Sequence, residues 1–341
     1  MMMDMRLFPI KSKGKYGYVN VEGKPCIETK YSYAEEFIED LAVVAIDDYF
    51  GFIDKKGNEI VKIEYDDVYD FVEGLAAVDK KGKLGYVDVK GNVVITPQFK
   101  EANDFSEGLA AVQLGYKWGG YIDKKGKFII EPEFFDVGGD FSEGLAMVQS
   151  GGKVGYINNV GSMIIETNYE YGKKFSEGLA PVKLKGKYGY IDQEGNMIIK
   201  PKYYEANIFK EGLAAVESID KYGFIDKNGE MIIPAKYEWA DNFSEGIAAI
   251  SIEGKYGFID KKGKEIIPIK FDEVGSISEG GLIAVGIDGK WGGYIDKSGE
   301  FIIKPIYDKT EKFIDGVAKV IFEKRVKYID KNGSFLGVRN I

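Results

Sequence analysis

The chain has 341 residues, of which 45% are apolar, so it can bury a sizeable core as one or two ordinary domains. Its 46 lysine and arginine residues against 55 aspartate and glutamate residues give a net charge of −9, which disfavours nucleic acid and anionic membrane surfaces as partners. Histidine is absent and Cys26 is the single cysteine. This composition excludes histidine-based acid–base catalysis, cysteine–histidine nucleophiles, cysteine/histidine zinc sites and an intramolecular disulfide.

The N-terminal residues do not have the features of a secretion signal. Asp4 and Arg6 interrupt the initial methionines, and no small-residue cleavage site follows them. The longest uninterrupted apolar stretch, Leu41–Ile46, is far shorter than the ~20 residues that cross a bilayer. The sequence therefore predicts a cytoplasmic protein without membrane insertion, or a surface or secreted one if a leader was removed.

The chain repeats itself along its whole length. The mark is an aromatic residue that opens a Tyr/Phe-(Ile/Val)-(Asp/Asn) triplet, and its copies lie 34 to 36 residues apart at Tyr18, Phe52, Tyr86, Tyr121, Tyr156, Tyr190, Phe224, Phe258, Tyr294 and Tyr328. The spacing predicts one repeat domain over 1–341. Its ten units begin near residues 7, 41, 75, 109, 145, 179, 213, 247, 282 and 317.

Each unit has three short apolar runs, named C, A and B in chain order, as at 213–216, 222–226 and 231–233. Their length and their branched or aromatic residues predict β-strands, since a helix needs ten or more residues at its own period. An Asp-Lys-Lys-Gly turn, as at 54–57, predicts an A–B hairpin, and a Gly-Lys pair, as at 82–83, predicts a C–A hairpin. The unit is therefore predicted to be a three-stranded antiparallel meander, all-β throughout.

The strands predict how the units pack. Consecutive apolar residues, as at 198–199, predict that both faces of each sheet are buried and that sheets stack face to face. Strand C carries small residues, so the stack is expected to curve with strand C inside. The first residues have the phase of strand C and the last that of strand B, and both end copies are atypical. These features favour a curved open array, a superhelical solenoid, with a closed β-propeller-like ring as the alternative.

The motifs resemble those of the bacterial WG, or KWG, repeat family. The resemblance rests on Lys-Trp-Gly-Gly-Tyr-Ile-Asp-Lys-Lys-Gly at 117–126, Phe-Ile-Ile-Glu-Pro at 128–132 and Phe-Ser-Glu-Gly-Leu-Ala at 141–146, and it covers essentially the whole chain. Most copies here have Tyr-Gly in place of Trp-Gly. The resemblance implies a bacterial repeat protein with no established catalytic activity.

The recurring polar residues are predicted to be structural. The aspartates that begin the A–B turns are expected to accept turn amide hydrogen bonds, because a calcium loop needs several oxygen ligands at alternating positions. The glutamate of the Glu-Gly-Leu-Ala motif, as at Glu73 and Glu211, is expected to be a loop-bonding or solvated carboxylate. Turn geometry accounts for nearly all the glycines. No Gly-Lys pair is followed by serine or threonine, so a phosphate loop is excluded. Cys26 is expected to be a small core residue.

The aromatic residues provide the candidate ligand contacts, although most of them keep the repeat phase expected of a core. Trp118 and Trp291 lie in Lys-Trp-Gly-Gly-Tyr variants whose extra glycine predicts a bulge, Trp239 lies in a B-to-C crossover, and Tyr116 is near Trp118. No catalytic, cofactor or metal residues are predicted.

The sequence leaves three classes of function open. A non-enzymatic scaffold that binds a protein or peptide partner comes first, because the surface is long, repeated and without a unique catalytic constellation. A carbohydrate- or cell-wall-binding module that uses the exposed aromatics is the alternative. An enzyme comes last, with Asp47 and Asp48 as the one local acidic break in the repeat.

Overall fold

The computed structural model describes residues 6–115, 117–132, 137–278, 280–314 and 316–336. Every regular element in these ranges is a β-strand, which confirms the all-β prediction. The predicted strands C, A and B are present, and a fourth strand, which we name D, lies in the crossover before strand C.

The strands fall into four classes. The C strands are Leu7–Ser12, Leu41–Ile46, Leu75–Asp79, Leu109–Leu114, Leu145–Ser150, Ala180–Leu184, Ala214–Ser218, Ile247–Ile252, Ile283–Ile287 and Val317–Phe322. The A strands are Lys15–Asn20, Tyr49–Asp54, Leu84–Asp88, Lys117–Asp123, Lys153–Asn158, Lys187–Ile191, Lys221–Ile225, Lys255–Asp260, Lys290–Ile295 and Arg325–Asp330. The B strands are Pro25–Tyr31, Glu59–Tyr65, Val93–Phe99, Phe128–Ile130, Met163–Tyr169, Met197–Tyr203, Met231–Tyr237, Glu265–Phe271 and Phe301–Ile303. The D strands are Tyr33–Ala34, Asp67–Val72, Glu101–Ala102, Val137–Ser142, Tyr171–Gly172, Glu205–Ala206, Trp239–Ala240, Glu273–Ile277 and Lys309–Thr310.

These strands form ten antiparallel sheets, numbered 1 to 10 in chain order, and the strand order within a sheet is D-C-A-B. Eight sheets have four strands, and sheets 1 and 10 have three among the described residues. Strand D pairs with the following strand C, as Ala34 does with Val44, so the three-stranded meander was an incomplete prediction.

The prediction of an open superhelical solenoid is wrong. The repeats form the four-stranded blades of a β-propeller, which was the alternative. The error has a physical reason: the phase of the chain ends was judged from strands C, A and B alone. Because the short strand D begins each complete blade, the blades are offset from the predicted units and that phase argument does not apply.

The two predicted hairpin turns are confirmed. Lys81 and Gly82 join a C strand to an A strand with φ of 58° and 68°, which is the two-residue type I′ geometry. In the A–B turn, the Asp54 carboxylate accepts the amides of Lys56 and Asn58, both at 2.9 Å, and Gly57 has φ of 81°. The recurring aspartate and glycine therefore close a turn, as their chemistry predicts.

Burial differs among the strands. Strands C and A are buried along most of their length, whereas strand B alternates between buried and exposed positions. Ile199 is buried but its neighbour Ile198 is 45% exposed, so the prediction that both faces of every strand are buried fails at strand B. Strand B is an edge of the sheet, and Cys26 in the first B strand is only partly buried against the core.

The described chain divides into two compact units, the first ending at Tyr169 and the second beginning at Glu170. Unit 1 contains sheets 1 to 5 and unit 2 contains sheets 6 to 10. Within each unit, consecutive sheets share a hydrophobic cluster of side chains from both. The prediction of one repeat domain over 1–341, with its ten unit starts, stays a prediction.

An aromatic pair connects consecutive sheets. The repeat aromatic of strand A packs against a phenylalanine of the next sheet, as Tyr86 does with Phe105 and Tyr190 with Phe209, each at 4.9 Å between ring centroids. The tyrosine hydroxyl also donates to a backbone carbonyl of that next sheet, at 2.6 Å from Tyr86 to Asn103. Burial raises the pKa of Tyr190 well above its usual value, so these hydroxyls stay protonated donors.

Candidate functional site

Polar side chains join one sheet to the next at the D–C turn. The Glu73 carboxylate of sheet 3 accepts the amide of Gly108 in sheet 4 at 3.1 Å and forms an ion pair with Lys124 of sheet 4 at 3.0 Å. The hydrogen bond from Lys124 lowers the pKa of Glu73. The same pairing occurs within unit 2 at Lys227–Glu177, Lys261–Glu211 and Lys297–Glu245. The prediction of a loop-bonding carboxylate is confirmed for these residues.

A serine makes a second connection between sheets. The Ser106 hydroxyl donates to the Phe141 carbonyl of the next sheet at 2.7 Å, and Ser176 donates to Phe209 at 2.8 Å. Between sheets 6 and 7 and between sheets 8 and 9, three groups are present together, and we call this set the consensus contact: a serine, a glutamate followed by glycine, and a lysine from the following sheet. Single departures occur at other contacts, with Val72 and Lys210 at the serine position and Asn159 at the lysine position.

The contact between sheets 2 and 3 departs from this consensus at all three places. Ile38 stands at the serine position, Asp40 replaces the glycine after Glu39, and Val89 replaces the lysine. Ile38 is 60% exposed and Val89 is 49% exposed. Among the described residues, the serine bond and the glutamate–lysine pair of the consensus contact are therefore missing here, and apolar side chains occupy the serine and lysine positions.

A cavity of about 710 Å³ occupies this position. Its apolar wall includes Ile38, Val89 and Phe71, with further contributions from Leu41, Val43, Phe52, Ile60 and Val72. The volume lies within the ~300–1,000 Å³ that is usual for a binding pocket. We name it the 2–3 cavity, after the two sheets that form it.

The polar lining of the 2–3 cavity is entirely acidic. It consists of Glu35, Glu36, Glu39, Asp40, Asp54 and Asp70. Lys55 pairs with Asp40 at 3.1 Å, the Tyr33 hydroxyl donates to Glu35 at 2.6 Å, and Asp54 accepts amides of its own turn, so at least three of these carboxylates have partners within the fold. No basic residue is among the lining residues in the described part of the chain, so the cavity suits a group that is cationic and apolar together.

The acidic character extends along unit 1 at one repeat position. The residue just before the phased phenylalanine is Glu36, Asp70, Asp104 or Asp140 in sheets 2 to 5. Partial burial, together with the charges of Asp140 and Asp70, raises the pKa of Asp104. In unit 2 the same position carries Lys174, Ile208, Asn242, Ser276 and Lys312. This run of acids and the 2–3 cavity are what sequence reasoning missed. Both are visible in the sequence as departures from the repeat rather than as recurring motifs.

The structure describes one of the four candidate ligand contacts predicted from the sequence. Tyr116 and the side chains of Trp118 and Trp291 lie outside what the structure describes. Trp239 is on a D strand, 40% exposed, with its ring 5.8 Å from that of Tyr256.

The acidic pair considered for an enzyme, Asp47 and Asp48, forms an exposed two-residue hairpin turn. The Asp47 side chain is 83% exposed and lies 4.0 Å from Lys15. Neither residue lines the 2–3 cavity. Among the described residues, no cluster of three or more aspartate, glutamate or cysteine side chains has the arrangement of a metal site, and no helix is suited to cross a membrane.

Comparison with known proteins identifies the repeat. The model of the WG containing repeat matches nine stretches of the chain, namely 16–49, 50–83, 85–118, 120–153, 155–188, 188–221, 222–256, 256–291 and 293–324. A search of curated proteins finds no match.

Solved structures resemble the chain in fold. A crystal structure of a eukaryotic initiation factor shares 11% identity over 98% of this chain and 95% of that chain, with a TM-score of 0.56. The dihydro-heme d1 dehydrogenase NirN shares 12% identity over 81% of this chain and 74% of that one, with a TM-score of 0.43. Hsv2p of Kluyveromyces lactis shares 11% identity over 65% of this chain and 89% of that chain, with a TM-score of 0.38. The likeness to the initiation factor shows the fold alone, and the two lower scores support no conclusion. Because the repeat matches extend from residue 16 to residue 324, the chain belongs to the family of the WG containing repeat.

Proposed function

We propose that this chain, whose repeat β-propeller fold suggests a protein-interaction scaffold, is non-enzymatic and binds a segment of a protein or peptide partner in the 2–3 cavity. The observation that carries the proposal is the simultaneous loss of the serine, glycine and lysine of the consensus contact where the cavity lies. Ile38 and Val89 are exposed apolar side chains beside an acidic rim, and such patches are typical of interaction sites.

Selection from a displayed peptide library against the full chain tests the proposal. We expect enriched peptides that compete with one another for one site. The variant Val89→Trp fills the cavity and is expected to lose this binding. The matched control is Ser298→Trp, in the turn that lines a polar cavity between sheets 8 and 9, and it is expected to retain binding. Recovery of no peptide that depends on Val89 contradicts the proposed site.

Glycan binding is a second candidate, and one observation favours it. Trp239 and Tyr171 occupy the same D-strand position in sheets 8 and 6, and each ring is exposed above an aromatic of strand A. Exposed aromatic rings are stacking surfaces for sugars. Binding to a glycan array that is lost in Trp239→Ala and Tyr171→Ala, with unchanged circular dichroism, supports this candidate. An array on which the full chain binds nothing contradicts it.

A further inference from the structure

The 2–3 cavity lies at the position that a lysine of the chain occupies in several other contacts between consecutive sheets. The lysine after the aspartate of the A–B turn reaches back to the glutamate of the preceding sheet, with Lys124–Glu73 at 3.0 Å, Lys227–Glu177 at 3.3 Å and Lys261–Glu211 at 3.0 Å. In sheet 3 this position is Val89, and the glutamate of the preceding sheet is Glu39. Glu39 thus lacks its consensus lysine and has an apolar residue at that position, whereas the corresponding residue for Glu107 is the polar Asn159.

The backbone around Glu39 nevertheless keeps the consensus conformation. Its φ is 55°, compared with 50° at Glu73, 56° at Glu177 and 53° at Glu211. A positive φ is unusual for glutamate, and the turn holds it in the same way in each sheet. Among the residues the structure describes, however, the Glu39 side chain makes no hydrogen bond or ion pair. The turn therefore presents a carboxylate on the cavity wall without the lysine that Glu73, Glu177 and Glu211 bind.

We propose that a lysine or arginine side chain of the partner segment takes the place of the missing lysine and binds Glu39. This inference rests on the proposed function and specifies the chemistry of the partner. An apolar side chain next to the basic residue then covers Ile38 and Val89. The partner segment is a basic peptide with apolar residues between its cations.

Charge complementarity supports this partner over others. The lining carries six carboxylates and no basic residue, and Lys55 is already paired with Asp40. An acidic or neutral apolar peptide would cover Glu39 and Asp70 without supplying a cation to either carboxylate, which is costly. A free polyamine would pair with the acids but leave the apolar wall exposed to water.

Fluorescence anisotropy with the full chain provides the test. The probe is a fluorescein-labelled nine-residue peptide of alternating leucine and lysine, at low salt. We expect the affinity to fall about tenfold or more in Glu39→Gln, which loses a charge-assisted hydrogen bond. We expect the affinity to fall by a similar factor in Val89→Lys, because the chain's own lysine then pairs with Glu39. Val89→Met, which keeps an apolar side chain, is expected to bind within about twofold of the parent.

Two control peptides and one control variant define the outcomes. The peptide with glutamate in place of lysine is expected not to bind, and the peptide with serine in place of leucine is expected to bind more weakly. Glu177→Gln, an equivalent acid in unit 2, is expected to leave binding unchanged. Unchanged binding in Glu39→Gln or Val89→Lys overturns the inference, and so does equal binding of the serine peptide, which indicates simple polycation binding.

The outcome separates the two proposals. Library peptides that depend on Val89 but contain no lysine or arginine contradict the basic partner and leave the cavity as the binding site. A library in which nothing depends on Val89 contradicts the proposed function itself. Both Ile38 and Val89 are exposed, so their substitutions are expected to change stability little, and circular dichroism verifies this.

Discussion

Two junctions of the same architecture, one in each unit, have opposite chemistry. Between sheets 8 and 9, a cavity of about 520 Å³ is lined by Glu245, Gly280, Gly281, Asp296, Lys297 and Ser298, and Lys297 forms an ion pair with Glu245. Between sheets 2 and 3, the corresponding turns line the 2–3 cavity with Glu39 and Val89 in place of Glu245 and Lys297. The fold requires the turn but not the ion pair, because surface ion pairs contribute little to stability. The repeat can therefore lose its polar contact at one junction and leave a surface available for another role.

The largest expected effect on stability comes from removing the phenylalanine of the aromatic pair, at a contact between sheets without the 2–3 cavity and at the contact that contains it. Phe243→Ala removes a buried ring that lies 4.9 Å from Phe224, and we expect a loss of about 3–5 kcal/mol in the free energy of unfolding. Phe71→Ala should cost clearly less, since Phe71 is only partly buried and lines the 2–3 cavity. Urea denaturation of both variants measures the difference. Equal losses would show that the contact between sheets 2 and 3 is packed as tightly as the contact between sheets 7 and 8.

The next effect concerns two turn glycines at the same position. Gly91 and Gly229 both have φ of 81°, where an L-residue is strained by about 1–3 kcal/mol. A Cβ at Gly91 would also lie 1.7 Å from the backbone oxygen of Ile60, whereas at Gly229 it meets only side-chain atoms of Ile199, at 3.2 Å or more. We therefore expect Gly91→Ala to lower the melting temperature more than Gly229→Ala. Differential scanning calorimetry provides the measurement, and the reverse order would contradict the close approach at Gly91.

Two substitutions at the lysine position, Lys297→Met and Val89→Lys, are expected to have a smaller effect on the free energy of unfolding. Lys297→Met breaks the ion pair with Glu245, and we expect a loss of about 0.2–1 kcal/mol that shrinks at high salt, because both side chains are partly exposed. Val89→Lys supplies Glu39 with the consensus lysine and is expected to gain a similar amount. Chemical denaturation at low and high salt tests the pair. A gain in Val89→Lys that does not depend on salt would point to a cause other than the ion pair.

The smallest expected effect is the pH dependence of the melting temperature that Asp104, one of the acids before the phased phenylalanines of unit 1, contributes. The raised pKa of Asp104 means that its charged form is less favourable in the folded state than in the unfolded state. Asp104→Asn should therefore raise the melting temperature slightly at pH 7. The gain should disappear as the pH falls through the raised pKa and Asp104 itself becomes neutral. Asn242 holds the equivalent place in unit 2, and Asn242→Asp, which has no neighbouring acid at that position, is the control.

The site could be predicted from the sequence only in part. Ile38, Asp40 and Val89 each break a repeated position, and an alignment of the ten units shows all three departures. The sequence does not show that these residues, which are separated by up to 51 positions, meet at one place. Their meeting depends on how the turn of one sheet reaches the turn of the next, as Lys124 reaches Glu73.

The sequence by itself determined the repeat, the all-β class, and the C–A and B–A pairing. These features depend on local chemistry: Asp54 and Gly57 close one turn, and Lys81 and Gly82 close the other. They follow from contacts within about ten residues, so the order of amino acids is sufficient to specify them.

Only the tertiary structure decided strand D, the β-propeller class and the 2–3 cavity. Strand D can be as short as the two residues Glu101–Ala102, too few to carry a hydrophobic period, and its pairing is provided by the strand C that follows. The blade therefore begins before the repeat that the sequence displays. The cavity likewise depends on two sheets, because Ile38 and Glu39 of one sheet and Val89 of the next line it together without a glutamate–lysine pair between them. Such a contact is decided by packing between repeats rather than within one repeat.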